Sequence, residues 1–314
     1  MNILIATGIY PPSIGGPAQY AKSLYETWSK QGHHVTVKTY NLEHKLPTGI
    51  RHLYFFFKIL PAVMAADFIL ALDTFSVGFP AVLAGKILGV PVVIRTGGDF
   101  LWEGHVERTR QKILLKDFYS KPDLSVKEKI IFSLTRFTLR WASRVVFSTN
   151  WQKDIWEKPY SLDEKKVSII ENFYGPKISC ETKNKTILGS TRSLVWKNLD
   201  SLPEGVVTKQ MTYEEMMRAM SDCYAVILVS LGDISPNMIL DAIARNKPFI
   251  LTKENGLTER IKDCAIFVDP KNPIEIEEKV NWLINNYDAQ KKKVEAFTFT
   301  HSWEEIAQEF LKLI

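Results

Sequence analysis

Short apolar runs recur along the chain, separated by stretches in which apolar residues return every three or four positions. The first pattern suits strands buried on both faces, and the second suits helices with one wet side. Their alternation predicts a βαβ series with parallel sheets. The run at 2–6 predicts a buried strand. Residues 18–31 put Tyr20, Ala21, Leu24 and Trp28 on one helical face and stop at Gly32, a residue that ends helices without steric cost. Further strands are predicted at 35–40, 68–72, 92–95 and 144–148. A second series follows, with strands at 186–189, 225–229, 248–251 and 265–268 and helices at 212–220, 237–245, 274–286 and 303–314. Thr212 and Glu215 have the spacing of a capping box. Ser235 and Pro236 suit a helix cap and first helical residue. The fold class predicted is α/β, with two Rossmann-like domains.

Composition narrows the function classes. A chain of 314 residues has room for two such cores. Hydrophobic content of 46% and charged content of 24% exclude wholesale disorder. Cys180, Cys223 and Cys264 are scattered, which argues for a reducing compartment and against a disulfide framework or zinc site. No apolar run is long enough to span a bilayer, and the opening residues lack the basic start of a secretory segment. A cytoplasmic location is the expectation.

The net charge of +5 is unevenly placed. Residues 1–175 hold 22 Lys and Arg against 15 Asp and Glu, and residues 176–314 hold 18 against 20. The excess gathers between Arg108 and Arg144, which suggests an anionic partner, with plain solubility as the alternative. Residues 53–61 set aromatics beside cations, and residues 113–144 interleave Lys and Arg with Leu, Phe and Trp. Peripheral contact with the inner face of the cytoplasmic membrane is one reading. A core helix with a basic rim is the other. No nucleic-acid recognition motif is present, so that partner is not expected.

Three loops carry candidate chemistry. Residues 8–17 join a strand to a helix, and Gly15-Gly16 lets a ligand approach bare backbone amides. The loop is neither a Walker motif nor a Gly-x-Gly-x-x-Gly fingerprint. Arg192 and Lys197 place two cations in one loop after a strand, an arrangement suited to a diphosphate and equally to solvated surface. Residues 230–242 hold Asp233 in a loop and Asp241 in a helix. A carboxylate on the apolar flank of a helix needs a partner, either sugar hydroxyls or a nearby Lys or Arg.

In this order, the loops resemble family 4 glycosyltransferases of the GT-B fold. The resemblance rests on Tyr10-Pro11-Pro12, Gly15-Gly16, Leu24 and the run 32–37, then on 167–172 and on Arg192 with Lys197. It continues through Asp233 and Asp241 at the family's Glu-x7-Glu spacing, Pro248, Glu259, Asp269 and residues 297–303. It implies two Rossmann-like domains with parallel sheets facing across a cleft. The acceptor-side domain would be 1–172 and the donor-side domain 173–296, with a terminal helix in 297–314 returning to the first. It implies a retaining sugar transferase using a UDP- or GDP-linked donor as substrate, with no cofactor and no metal. The acceptor would be a glycan or lipid-linked precursor in envelope polysaccharide or glycolipid assembly. By resemblance Arg192 and Lys197 hold the diphosphate, Asp241 takes the ribose hydroxyls and Asp233 orients the sugar. Gly15, Gly16, Ser235 and Asn237 would also contact the donor. The family's histidine position is Gly97 here, so Asp99 becomes the nearest polar candidate toward the acceptor, followed by Gly98 and Glu103; His105 reads as a solvated loop residue. Both motif acids are Asp, and only 199–210 separates Lys197 from the next helix, so one or more βα units are absent from the second domain. Two alternatives remain open on the residues alone. One is a non-catalytic scaffold or regulatory partner of this fold, the other a nucleotide-sugar epimerase or hydrolase.

Overall fold

The computed structural model describes residues 1–13, 15–120, 122–190 and 192–314. The chain divides into two compact units, each assembled from separated stretches. The first comprises Met1–Asp99, Leu124–Glu171 and Trp303–Ile314; the second comprises Phe100–Asp123 and Asn172–Ser302.

The first unit is built on a six-stranded sheet of β1 (Asn2–Thr7), β2 (His34–Thr39), β3 (Phe68–Ala71), β4 (Val92–Thr96), β5 (Arg144–Phe147) and β6 (Val167–Ile169). Every pairing is parallel, in the order β2-β1-β3-β4-β5-β6. The central strands β3 and β4 are buried at every position, as expected when helices cover both faces. One layer is formed by the helix Gly16–Lys30 and the C-terminal helix Trp303–Leu311. Trp28 joins them: its indole N–H donates to the Ala307 carbonyl at 3.2 Å and its ring lies against Phe310. The other layer holds the helices Ile50–Met64, Gly78–Leu88 and Val126–Trp141, packed side by side, and the helix Asn150–Tyr160, whose Tyr160 lies against Phe132 of the last. Because β1 leads to β2 on one side and β2 returns past it to β3, the sheet changes direction between β1 and β3. Such a switch point opens a crevice at the carboxyl ends of the strands, and the Gly15-Gly16 loop lies there.

The second unit holds β7 (Ile187–Leu188), β8 (Val206–Val207), β9 (Ala225–Leu228), β10 (Phe249–Thr252) and β11 (Ile266–Val268). This sheet is also parallel, in the order β11-β10-β9-β7-β8. Alternate residues feed two cores: Ile187, Ala225, Ile227 and Ile250 on one face, Leu188, Val226, Leu228 and Phe249 on the other. The shortening anticipated after Lys197 takes a definite form. Among the described residues between β7 and β8 there is no α-helix, only the 3-10 turns Val195–Lys197 and Leu199–Ser201. The capping box at Thr212 forms as expected, with Thr212 Oγ1 accepting from Glu215 N and Thr212 N donating to the Glu215 carboxylate. The cap expected at Ser235 does not form. The next helix is Asn237–Ala244, Pro236 occupies the cap position, and no side chain caps it.

Candidate functional site

The second sheet reverses direction between β7 and β9, so the loops leaving those two strands define its crevice. The β7 loop carries Arg192 and Lys197, and its path is pinned at both sides of Lys197. Leu231 N donates to the Trp196 carbonyl at 2.8 Å. Asn198 adopts a left-handed conformation with φ 57°, tolerated by Asn because its short amide bonds locally. Its amide nitrogen donates to the carbonyls of Val229 at 3.2 Å and Pro270 at 2.7 Å. The β9 loop is held in turn on the loop after β10: Asp233 N donates to Glu254 O at 2.9 Å, and Gly256 N donates to Asp233 O at 3.1 Å.

These ties bring Lys197 and Asp233 together. The ammonium lies 3.1 Å from each carboxylate oxygen, and both side chains are about nine-tenths buried. Lys197 Nζ also sits 4.2 Å from the centre of the Trp196 ring, while the exposed Arg192 places its guanidinium 5.8 Å from the same ring. Trp196 is therefore a platform shared by both cations. At the mouth of the helix Asn237–Ala244, Asn237 Oδ1 accepts from Asn172 Nδ2 at 2.8 Å. The hydroxyls of Ser230 and Ser235 are buried with no hydrogen-bond partner among the described residues.

Asp241, eight residues beyond Asp233, is not part of that pair. It is half-buried within the helix, with Arg245 Nη1 3.8 Å away. Burial pushes its carboxyl up to about 6, and the Arg245 charge only partly opposes this. The local reading of Asp241, a helix acid beside a nearby Arg, matches this geometry.

Residues 100–123 cover these loops, a feature that sequence reasoning missed. Trp102 lies 5.7 Å from the Trp196 ring. Glu107 accepts from Val195 N at 2.7 Å, and Leu115 N donates to Leu231 O at 3.2 Å. Lys116 pairs with the buried Glu254 at 2.5 Å, a bond that raises the lysine's pKa. Gly232 has no room for a side chain, since a Cβ would come within 2.6 Å of Leu115 Cβ. That glycine, next to an acid in a strand-to-helix loop, was the available signal of close packing. His105 belongs to the same segment. It is a buried residue of the helix Phe100–Thr109, packed 5.1 Å from the Phe118 ring, rather than a solvated loop residue. Glu103 is half-buried on that helix.

The remaining candidates lie in the first unit. Gly15 precedes the helix Gly16–Lys30 and its carbonyl accepts from Ala18 N and Gln19 N; Pro17 has no N–H, and the first turn holds no acid. Asp99 is buried and its Oδ2 accepts from Trp156 Nε1 at 2.7 Å. The Gly98 carbonyl accepts from Thr96 Oγ1 at 3.0 Å and Gln152 Nε2 at 3.1 Å. Gly97 has a physical reason to lack a side chain: a Cβ there would collide with the Arg95 guanidinium, which is stacked over Tyr20. Among the described residues no three His, Cys, Asp or Glu side chains gather to hold a metal, and no helix is long and apolar enough to cross a membrane.

Comparison with known proteins follows from this geometry. Sucrose-phosphate synthase from Thermosynechococcus elongatus superposes with a TM-score of 0.71 at 11% identity, covering 99% of this chain and 98% of that one. HepE from Anabaena, solved in complex with UDP-glucose, gives 0.69 at 15% identity over 100% of both chains. WaaG, a glycosyltransferase involved in lipopolysaccharide biosynthesis, gives 0.68 at 12% identity over 99% of both. At these identities the likeness is one of fold. No curated protein matches the sequence. The model of Glycosyltransferase Family 4 matches residues 14–176, more than half of the chain. With two parallel α/β sheets and loops of the expected kind at their switch points, the chain belongs to Glycosyltransferase Family 4 and is a glycosyltransferase.

Proposed function

We propose that the protein transfers a sugar from a nucleoside diphosphate sugar, UDP-linked in the first instance, to a hydroxyl of a glycan or lipid-linked acceptor. The observation that carries this reading is the buried Lys197–Asp233 pair at the switch point of the second sheet. UDP is favoured over GDP because HepE, of the same fold, was solved with UDP-glucose.

In the reaction the bond from the anomeric carbon to the phosphate oxygen breaks and its electron pair leaves with the nucleoside diphosphate, while the acceptor oxygen bonds to that carbon and passes its proton to the departing diphosphate oxygen. Charge accumulates on the leaving diphosphate, so cations fixed beside it lower the barrier. Arg192 and Lys197 fill that role, Arg192 as a bidentate fork and Lys197 as a point charge. Before the donor arrives Asp233 neutralises Lys197. When the diphosphate takes the ammonium, Asp233 is released to accept from a sugar hydroxyl. Asp241 accepts from the ribose, and its raised pKa marks a carboxyl in want of such donors. Ser235 and Asn237 add polar contacts at the helix mouth, and Gly15 and Gly16 supply backbone amides. Asp99, already bonded to Trp156, acts by positioning the turn after β4, with Gly98 and Glu103 on the acceptor side. Net retention of anomeric configuration, implied by the family resemblance, and independence from a metal, whose counter-charge two cations of the chain would supply, complete the reading.

The test is thermal denaturation with UDP, GDP and ADP, on the wild type and Arg192→Ala. A ligand at about a hundred times its Kd stabilises by roughly 2.7 kcal/mol. A rise with UDP alone that is lost in Arg192→Ala is the expected result; no rise with any of the three overturns the donor assignment.

A further inference from the structure

The helix Ile50–Met64 covers the first sheet with His52, Phe55, Ile59 and Val63. Those four make the inward stripe of an ordinary surface helix. The outward side, where polar residues are the rule, is apolar too. Ile50, Leu53, Tyr54, Phe57 and Met64 are between 43% and 67% exposed. Their spacing of three, four and seven residues draws one continuous line along the helix. Single exposed apolar residues are unremarkable, but a contiguous line marks a surface that meets something.

The charge on the same layer says what. The helices Ile50–Met64, Gly78–Leu88 and Val126–Trp141 contain seven Lys or Arg and a single acid, Glu128, while the helix Asn150–Tyr160 beside them adds Lys153 and Lys158 against Asp154 and Glu157. Glu128 is buried in a capping box with Ser125, so no carboxylate of the first three helices faces solvent. Lys86, Lys127, Lys129 and Arg140 are exposed, and Lys86 lies over the ring of the half-exposed Trp141. The opposite layer of the unit has the reverse bias: its helices carry Glu26, Glu304, Glu305 and Glu309 against Lys22 and Lys30. Cations and exposed apolar side chains thus share one face, a combination that suits an anionic interface with an apolar interior. A second copy of the chain would oppose like charges across a two-fold axis, and a nucleic acid would leave the apolar line unfilled.

We propose that these three helices dock on an anionic lipid bilayer, the stripe of Ile50–Met64 entering the headgroup region while the cations of Gly78–Leu88 and Val126–Trp141 meet the lipid phosphates. The inference does not depend on the donor assignment. The experiment is co-sedimentation of the full chain with phosphatidylcholine vesicles, with and without phosphatidylglycerol, at about 0.1 M salt. Wild type is expected to bind the anionic vesicles at least tenfold more tightly than the neutral ones. The pair Leu53→Glu and Phe57→Glu should cut binding by at least tenfold with an unchanged thermal midpoint. Lys127→Glu with Lys129→Glu should also weaken it, by about fivefold or more per residue. Absence of binding by wild type overturns the proposal. So does binding that survives Leu53→Glu with Phe57→Glu, which would be charge attraction alone. A wild-type dimer dispersed by that same pair, without vesicle binding, assigns the stripe to a second copy instead.

Discussion

Replacing Asp233 by Asn keeps the side-chain shape and removes its charge, leaving the Lys197 ammonium in a site about nine-tenths buried. Two unit charges at about 4 Å attract by roughly 4 kcal/mol at an effective dielectric of 20, and breaking one side of a buried pair costs about 3–5 kcal/mol. The face of Trp196, 4.2 Å from the ammonium, is common to both proteins and leaves that difference unchanged. The expectation is about 3–5 kcal/mol, or a thermal midpoint lowered by about 6–20 °C at roughly 2–4 °C per kcal/mol. The double variant Lys197→Met/Asp233→Leu, which removes both charges, should recover most of this, because a buried ion pair and an apolar pair of similar volume are close in stability. UDP provides the sharper discrimination. If the diphosphate replaces Asp233 as the counter-charge, UDP should stabilise Asp233→Asn by more than it stabilises wild type. The assay is thermal unfolding of the three proteins with and without UDP. The reasoning fails if Asp233→Asn melts within about 1 kcal/mol of wild type, or if the double variant is no more stable than the single.

Two further outcomes are expected. The folded-state pKa of Asp241 is about 6, above an ordinary value of about 3.9; the folded chain therefore binds the proton more tightly, so stability falls as pH rises from about 4 to 6 and stays lower above that. Asp241→Asn should gain about 2 kcal/mol at pH 7, after allowance for a quarter-exposed side chain, and almost nothing at pH 4; equal gains at both pH values in urea denaturation would show that the acid is not the cause. Gly232→Ala puts a Cβ 2.6 Å from Leu115 Cβ, an overpacking that should cost about 1–3 kcal/mol; a midpoint equal to wild type would mean that residues 100–123 do not hold their packing over the β9 loop.

How far the fold can be read from the chain depends on where its determinants lie. Strands such as Phe68–Ala71 and Phe249–Thr252 are short apolar runs buried on both faces, so local pattern suffices. The strand Val206–Val207 has only two residues and pairs with one neighbour, too little for a periodicity to register. Arg192, Lys197 and Asp233 were legible as chemical types in loops after strands. That Lys197 is closed on Asp233 was not, since it depends on an Asn198 bonded to carbonyls 31 and 72 residues away. Ser235 had the composition of a cap, yet the chain starts the helix two residues later and leaves its hydroxyl buried. His105 misled for a similar reason: polar in isolation, it is enclosed by Phe118 and a helix whose partners are distant in sequence.

The division of the chain into interleaved stretches bears on how the protein is made. A ribosome delivers residues in order, and neither unit is whole until its last stretch, far along the sequence from its first, has been made. The second unit waits for Ser302 even though its first stretch begins at Phe100, and the first unit waits for the terminal helix that follows. Trp28 is the extreme case: the carbonyl that accepts its indole N–H is emitted 279 residues later. Until residues 303–310 are made, the wall of the helix Gly16–Lys30 that holds Trp28 and Tyr20 has no cover from Phe310 and Trp303, which leaves apolar surface exposed on the nascent chain. A cut that follows sequence order between residues 100 and 302 would reproduce this state permanently, since each unit draws on stretches from both sides of it.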